Sequence, residues 1–417
     1  MTEAPLAGIR VLAMEQAVAL PVGTRHLADM GADVIRVQSH ARRVPSLAEI
    51  DLTRNKRQLA LDLTVDGAAE TFLRVAANCD VVAHNYTPRV VRQFGIDYEA
   101  VRKVNPEVIY VSLTGFGTTG PWGERPLFGP GAEAVSGHNL LIGEPDGWPG
   151  RPGTIVYADT NCGLNAAFAV LAALDERDRT GRGQHIDVSL YETSVFQLGP
   201  VLTELAMGAE PRRIGNDDTS YAIHGVFDCS GVDRHVAIAV RGDQAAALVG
   251  ALGIAAADKE SVAAAVAGRD AGEVAKTLQS QGIAASVVND ASDLAADPQL
   301  WARGFFGTVQ RTGTGVEPGA YPHVGPAWGH GPAVGLEEAR PVGADSAAIL
   351  AELGGFSEGE IADLFARGAS GTTASPGGVP RRNAAEDGIR VTRAELTRVD
   401  AAHDGWRAAA AASKGER

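Results

Sequence analysis

"GIRVLAMEQAVALPVGTRHLADMGADVIRVQ", Gly8 to Gln38, decides the fold. Its first eight residues alternate weakly between apolar and polar, as a strand does. "VGTRHLADMGA" then has helical spacing and stops at Gly31, and "ADVIRVQ" resumes the strand pattern, so the chain opens as a βαβ unit. Reading outward, "RQLALDLT" (Arg57 to Thr64) is a strand with Leu59, Leu61 and Leu63 on one face. "DGAAETFLRVAANC" is an amphipathic helix, "DVVAHN" a further strand, and "VIYVSLTGFG" (Val108 to Gly117) a buried strand running into a glycine-rich loop. Strands that are almost continuously apolar and alternate with helices predict a Rossmann-like, doubly wound parallel sheet, with ligands held by the loops that follow the strands.

The chain has 417 residues, 45% of them hydrophobic, which is enough for a large core and favours two domains over one. A net charge of −14 argues against a nucleic-acid partner, because binding phosphate backbones needs clustered positive charge. The start lacks a basic segment leading into an apolar one, and no apolar run is long enough to span a membrane, so the expected location is cytoplasmic. Cys79, Cys162 and Cys229 have no metal-type spacing, so neither a zinc site nor a disulfide framework is expected. Buried thiols are the simplest reading, with Cys162 a minor candidate nucleophile because of where it lies.

The first loop reads "AVALPVGT" where a nicotinamide dinucleotide fold would carry GxGxxG, which removes the main support for that cofactor. "GFGTTG" (Gly115 to Gly120) could cradle an anion, but glycines so placed more often turn the chain. In "GTIVYADTNCGLNAAFAVLAALDERDRTGRGQ", Gly153 to Gln184, Asp159 stands where an apolar helix pattern begins. An aspartate there either caps the helix or is left free for chemistry, and local sequence does not choose between them. The helix is expected from Asn161 to Arg177, with Leu164, Ala167, Phe168, Leu171 and Leu174 packing on the sheet. Its N-terminus would then keep Asp159 ionised. "HIDVSL" (His185 to Leu190) returns as a strand, followed by a helix from about Tyr191. The expected organisation is a large domain over 1–225, a small α/β domain over 226–300, a return segment over 301–369 and a loosely attached tail over 370–417.

Laid together, "LAGIRVLAMEQAVALPVGTRHLADMGADVIRV", "TRNKRQLALDLT", "DVVAHNYTP", "YVSLTGFGTTGPWGERP", "LAALDERDRTGRGQHIDVSL" and "ADPQLWARGFF" resemble the family III CoA-transferases of the CaiB/BaiF type. That group includes formyl-CoA transferase, the carnitine CoA-transferases and α-methylacyl-CoA racemase. The resemblance runs from about Leu6 to about Arg367. It implies coenzyme A as part of an acyl-CoA substrate, no metal, and a homodimer whose chains are interlocked. It also implies an aspartate nucleophile at the position of Asp159, which would pass through an aspartyl anhydride and an aspartyl-CoA thioester. The matching CoA contacts are Val18 and Ala19 through their backbones, Leu61 beside the adenine, Asn85 and Tyr86, with Arg92 and Arg125 as basic candidates.

The departures carry information too. The racemase branch places a His-Asp pair where this chain has Phe128 and Gly129, and a Glu near Gly225. Moving a proton on and off an α-carbon needs such an acid and base, and only His138 and His224 lie near as replacements. Basic residues expected at CoA phosphates are Ser39, Thr64 and Gln93 here, with Arg42, Arg43 and Arg92 close enough in sequence to substitute. Arg54, Lys56 and Arg57 keep an "RNKR" signature that either meets the ligand or anchors the sheet edge. Three readings follow: a CoA-transferase acting through Asp159, an acyl-CoA racemase or isomerase, and a non-catalytic CoA-binding homologue. The scarcity of basic residues other than Arg125 and Arg151 around "GPGAEAVSGHNLLIGEPDGWPG" hints at a monocarboxylic acyl group.

Overall fold

The computed structural model describes residues 4–40, 51–151, 156–311, 319–327 and 335–372, with 409, 411 and 412 beyond them. Arg42, Arg43 and most of the 370–417 tail lie outside the described residues. The runs read as strands become β1 (Arg10–Met14), β2 (Asp33–Gln38), β3 (Lys56–Ala60), β4 (Val81–His84), β5 (Ile109–Thr114) and β6 (Gln184–Ser189). They form one parallel sheet in the order β3-β2-β1-β4-β5-β6. The order reverses between β1 and β4, the kind of switch point at which sheets of this type bind ligands at their carboxyl ends.

In chain order the helices of this body begin with α1 (Ala19–Asp29), α2 (Ala68–Ala76), α3 (Pro88–Gln93), α4 (Tyr98–Val104) and α5 (Gly129–Val135). After the short α6 (His138–Leu141) come α7 (Tyr157–Thr180), α8 (Leu190–Phe196) and α9 (Gly199–Ala206). α1 and α7 cover one face of the sheet, where Leu20 and Leu27 meet Ala166 and Val170. α2 to α4 cover the other through Phe72, Val91 and Val101.

α7 differs from its expected form. It starts at Tyr157, so Asp159 lies inside its first turn and is not ahead of it. Its buried side is the small-residue stripe Ala158, Cys162, Ala166, Val170 and Ala173, whereas Leu164 and Phe168 of the expected stripe are 46% and 73% exposed. The cause is the closeness of α1. A Cβ on Gly23 would lie 2.7 Å from the Gly163 carbonyl oxygen, and one on Gly163 would lie 3.0 Å from the Gly23 nitrogen. Backbones that close leave room only for small residues, so the bulky ones turn outward.

Between α1 and the sheet lies a buried polar cluster. The Lys56 ammonium donates to Glu15 at 2.6 Å, to the Thr24 hydroxyl at 2.7 Å and to the Pro21 carbonyl at 3.1 Å. Thr24 in turn donates to Glu15. Burial pulls the Lys56 amine down to about 8 despite its carboxylate neighbour. Arg54 pairs with Asp29 at 2.7 Å and Asp51 at 2.6 Å, and Arg57 with Asp33 and Glu352, so the "RNKR" signature anchors the edge of the sheet.

The chain revisits that edge. Two later helices, α13 (Ser346–Glu352) and α14 (Glu358–Ala366), add Ile349, Leu350 and Leu364 to the core on the α2 side. The β3 amides of Gln58 and Ala60 donate to Asp345 at 2.9 Å and Ser346 at 3.0 Å. Leu61 bridges to Ser370, and the Asp62 amide donates to the Ala369 carbonyl.

Among the described residues up to 372 the chain forms two units, one from residues up to 139, 151–209 and 303–372, the other from 140–150 and 210–302. The second unit has its own core of Val236, Ile238, Val262, Val274 and Leu278. Its sheet is antiparallel, β7 (Ile223–Asp228), β8 (His235–Val240) and β9 (Ala284–Val287) in that order. α10 (Ala245–Leu252), α11 (Lys259–Val266) and α12 (Ala271–Ser280) pack on it. The 140–150 stretch is tied in by Arg213, which donates to the carbonyls of Leu140 and Gly147 at 3.0 and 2.9 Å.

Candidate active site

Asp159 is 7% exposed and makes no capping hydrogen bond, and neither does the N-cap residue Val156. The capping is done from another helix. Glu133 on α5, 1% exposed, accepts from the Tyr157 amide at 2.9 Å and the Ala158 amide at 3.5 Å, while its other oxygen takes the Arg151 guanidinium at 3.2 Å. One helical turn before Glu133 lies Gly129, whose missing side chain makes room for the nucleophile candidate: a Cβ there would stand 2.8 Å from the Asp159 carboxyl carbon and closer still to Oδ2. A different carboxylate caps the helix, so Asp159 has no capping hydrogen bond to make.

The proton affinity of Asp159, though not its charge at neutral pH, departs from what a helix N-terminus alone would set. A helix N-terminus favours an ionised Asp159, but burial, with the Glu133 charge adding to it, pushes the carboxyl up to about 6. It therefore stays mostly ionised at neutral pH while being a stronger base than an ordinary aspartate. Cys162 is no competitor as nucleophile, since burial raises its thiol to about 12. His138 holds Ser136 Oγ at 2.9 Å through Nδ1 and lies 5.9 Å from the Tyr157 ring. His224 holds the Asn216 carbonyl at 2.7 Å within the second unit.

At the switch point, Asn85 clamps the first loop. Its side chain accepts from the Gln16 amide at 2.9 Å and donates to the Gln16 carbonyl at 2.8 Å, fixing the residues just before Val18 and Ala19. Val18 is the N-cap of α1, and Ala19 presents its carbonyl to Gly163 one turn beyond Asp159. The structure thus brings Val18, Ala19, Asn85 and Tyr86 to the carboxyl ends of neighbouring strands, Tyr86 with its ring against the core. Leu61 is 2% exposed, its side chain in the core beneath the β3 edge. Arg92 is paired with Glu124, which also accepts the Arg89 amide at 3.0 Å, and Arg125 lies 5.5 Å over the Trp122 ring. Where basic residues were expected, Ser39 donates to Asp62 at 3.1 Å and Thr64 donates to the same carboxylate at 2.6 Å. The "GFGTTG" loop is tied to β6, since the Thr118 amide donates to the Asp187 carboxylate at 2.9 Å.

Glu133 was not legible as a site residue. The signal was there in "GPGAEAV", one acid in a short helix otherwise made of small and apolar residues, but only the fold brings it to the start of α7.

The description of CoA-transferase family III matches residues 6–346. The chain belongs to CoA-transferase family III. Within the family it is 31% identical over 353 residues to the succinate–glutarate CoA-transferase of Agrobacterium fabrum, covering 76% of this chain and 88% of that one. It is 38% identical over 208 residues to the succinyl-CoA–L-malate CoA-transferase beta subunit of Chloroflexus aurantiacus, a match that spans about half of each, 47% of this chain and 51% of that subunit. In three dimensions it is similar to a CaiB/BaiF family protein from Brucella suis, with a TM-score of 0.74 at 29% identity, covering 84% of this chain and all of the other. The six-stranded parallel sheet is the one expected of a family III member. Among the described residues no cluster suited to holding a metal ion and no helix long and apolar enough to cross a membrane is present.

Proposed function

We propose that this family III protein moves coenzyme A between an acyl-CoA donor and a carboxylic acid, with Asp159 as nucleophile. The observation that carries the reading is a buried carboxylate released from helix capping by Glu133 and given its space by Gly129. An Asp159 oxygen attacks the thioester carbonyl, the C–S bond breaks, and an acyl–aspartyl anhydride and CoA thiolate result. The thiolate attacks the aspartyl carbonyl, releasing the donor acid and leaving an aspartyl-CoA thioester. An acceptor carboxylate then reverses both steps and frees Asp159. No proton is transferred in this sequence, which suits a site whose reacting groups are all carboxylates or thiolates.

Racemisation is the weaker reading, because Gly129 offers no side chain and the space for one is filled by Val156 and by Asp159 itself. The non-catalytic reading draws on Asp62, held by Ser39 and Thr64 where cationic contacts to CoA were expected. Coenzyme A would rest on Val18, Ala19, Asn85 and Tyr86, with Leu61, Arg92 and Arg125 around it. The acids named for the relatives are succinate, glutarate and malate, which makes dicarboxylates the first to try even though the sequence hints at a monocarboxylate. A homodimer with interlocked chains is supported by exposed apolar residues on α7 to α9, among them Leu164, Phe168, Phe196 and Leu205. The cytoplasm is the compartment proposed for it.

The test is intact-protein mass spectrometry with succinyl-CoA and a panel of other acyl-CoA thioesters in hydroxylamine, beside Asp159→Ala. A hydroxamate mapped to residue 159 and absent in the variant supports the transferase. Coenzyme A binding with no adduct from any donor speaks for the non-catalytic reading, and solvent deuterium entering the α-carbon for racemisation.

A further inference from the structure

We propose that Glu133 is a positioning residue for Asp159: it takes the amides at the start of α7, leaving the Asp159 carboxylate free to react, and sets a like charge beside it. The inference rests on Asp159 being the nucleophile. Gly129 and Glu133 stand four residues apart on α5, so both face the first turn of α7. The Gly129 backbone lies against the Asp159 carboxylate, and the Glu133 carboxylate takes the Tyr157 and Ala158 amides. An aspartate in the first turn of a helix ordinarily spends its oxygens on such amides. Here the work is transferred to a residue that is itself 1% exposed and balanced on its outer side by Arg151, which is 41% exposed.

The titratable groups of the short helices packed on α7 are Glu133 on α5 and Glu192 on α8, with Tyr157 and Cys162 near Asp159 on α7 itself and His138 on α6, whose ring lies 5.9 Å from that of Tyr157. α1 contributes no ionisable side chain between Ala19 and Thr24. Of these groups, Glu133 alone adds to burial in raising the Asp159 carboxyl. A glutamine would keep an oxygen for the amides and remove the charge. An alanine would remove both.

The experiment is a double-mutant cycle on the full-length protein, read by thermal unfolding at pH 8 for wild type, E133Q, D159N and the double variant. Alongside it, the pH dependence of hydroxamate formation from succinyl-CoA is followed. Removing the Glu133 charge should raise the melting temperature by more in the wild-type background than in the D159N background. It should also move the acid limb of trapping to lower pH by about one unit, the size of a close like-charge effect. Arg151→Gln keeps the test available if E133Q does not fold. By leaving the Glu133 charge less balanced, R151Q should move the limb the opposite way. Equal effects of E133Q in both backgrounds, or limbs that do not move, overturn the proposal. Coupling in the melts with no hydroxamate at residue 159 in any variant overturns the nucleophile assignment, and with it the positioning role of Glu133, while the pairing of the two carboxylates stands.

Discussion

The Asp159 carboxylate fills part of the space that a side chain on Gly129 would need: a methyl group on residue 129 would sit 2.8 Å from the Asp159 carboxyl carbon and 1.9 Å from Val156 Cγ1. Even the smallest side chain there must displace Val156 and the carboxylate together. Gly129→Ala should therefore lower the CoA-transfer rate by about 100-fold, the usual effect of misplacing a reacting group by an ångström. Steady-state kinetics with a melting curve on the same sample separates this from loss of fold.

Asp159 should cost stability. Its folded carboxyl is raised from 3.8 to about 6, so the group favours folding below pH 4 and loses that contribution as pH rises through 6. Asp159→Asn should then stabilise the protein by up to about 3 kcal/mol at pH 8, the equivalent of a two-unit shift, and by little at pH 4. Urea unfolding at the two pH values checks it. A gain equal at both would mean that ionisation is not the source.

Gly163→Ala should destabilise by about 1–3 kcal/mol, because the added methyl meets the α1 backbone, which no rotamer change relieves. The same change should loosen the first loop and weaken CoA binding, measurable by calorimetry.

Lys56→Met takes from buried Glu15 the nearer of its two cations, leaving Arg36 at 3.6 Å, and should cost about 3–5 kcal/mol. Pairing it with Glu15→Gln should recover part of the loss. Chemical denaturation of the single and double variants measures both.

If α7 to α9 form the dimer contact, Leu164→Ser with Phe168→Ser should shift the protein from dimer to monomer in light scattering. An unchanged mass would place the contact elsewhere.

The βαβ opening was legible because each parallel strand is covered on both faces and so carries its burial in its own composition. Asp159 was legible because a single carboxylate at the head of an apolar helix stands out. What escaped was set by neighbours distant in sequence. The inward side of α7 depends on how near α1 comes, and periodicity chose the bulky residues over the small ones that fit. Glu133 looked like an ordinary helix acid until α5 met α7. The antiparallel order of β7, β8 and β9 was hidden because alternating strands and helices suit either sheet direction.

The sealing of β3 has a consequence for synthesis. Its outer amides find their partners 287 residues later in the chain, at Asp345. A ribosome adding 5–20 residues per second leaves that strand without its cover for about 15–60 s. Through that interval the nascent chain offers an open edge to any other extended polypeptide, the standard route to aggregation. A chain cut short before Ser346 should fold its first strands and yet accumulate as insoluble protein.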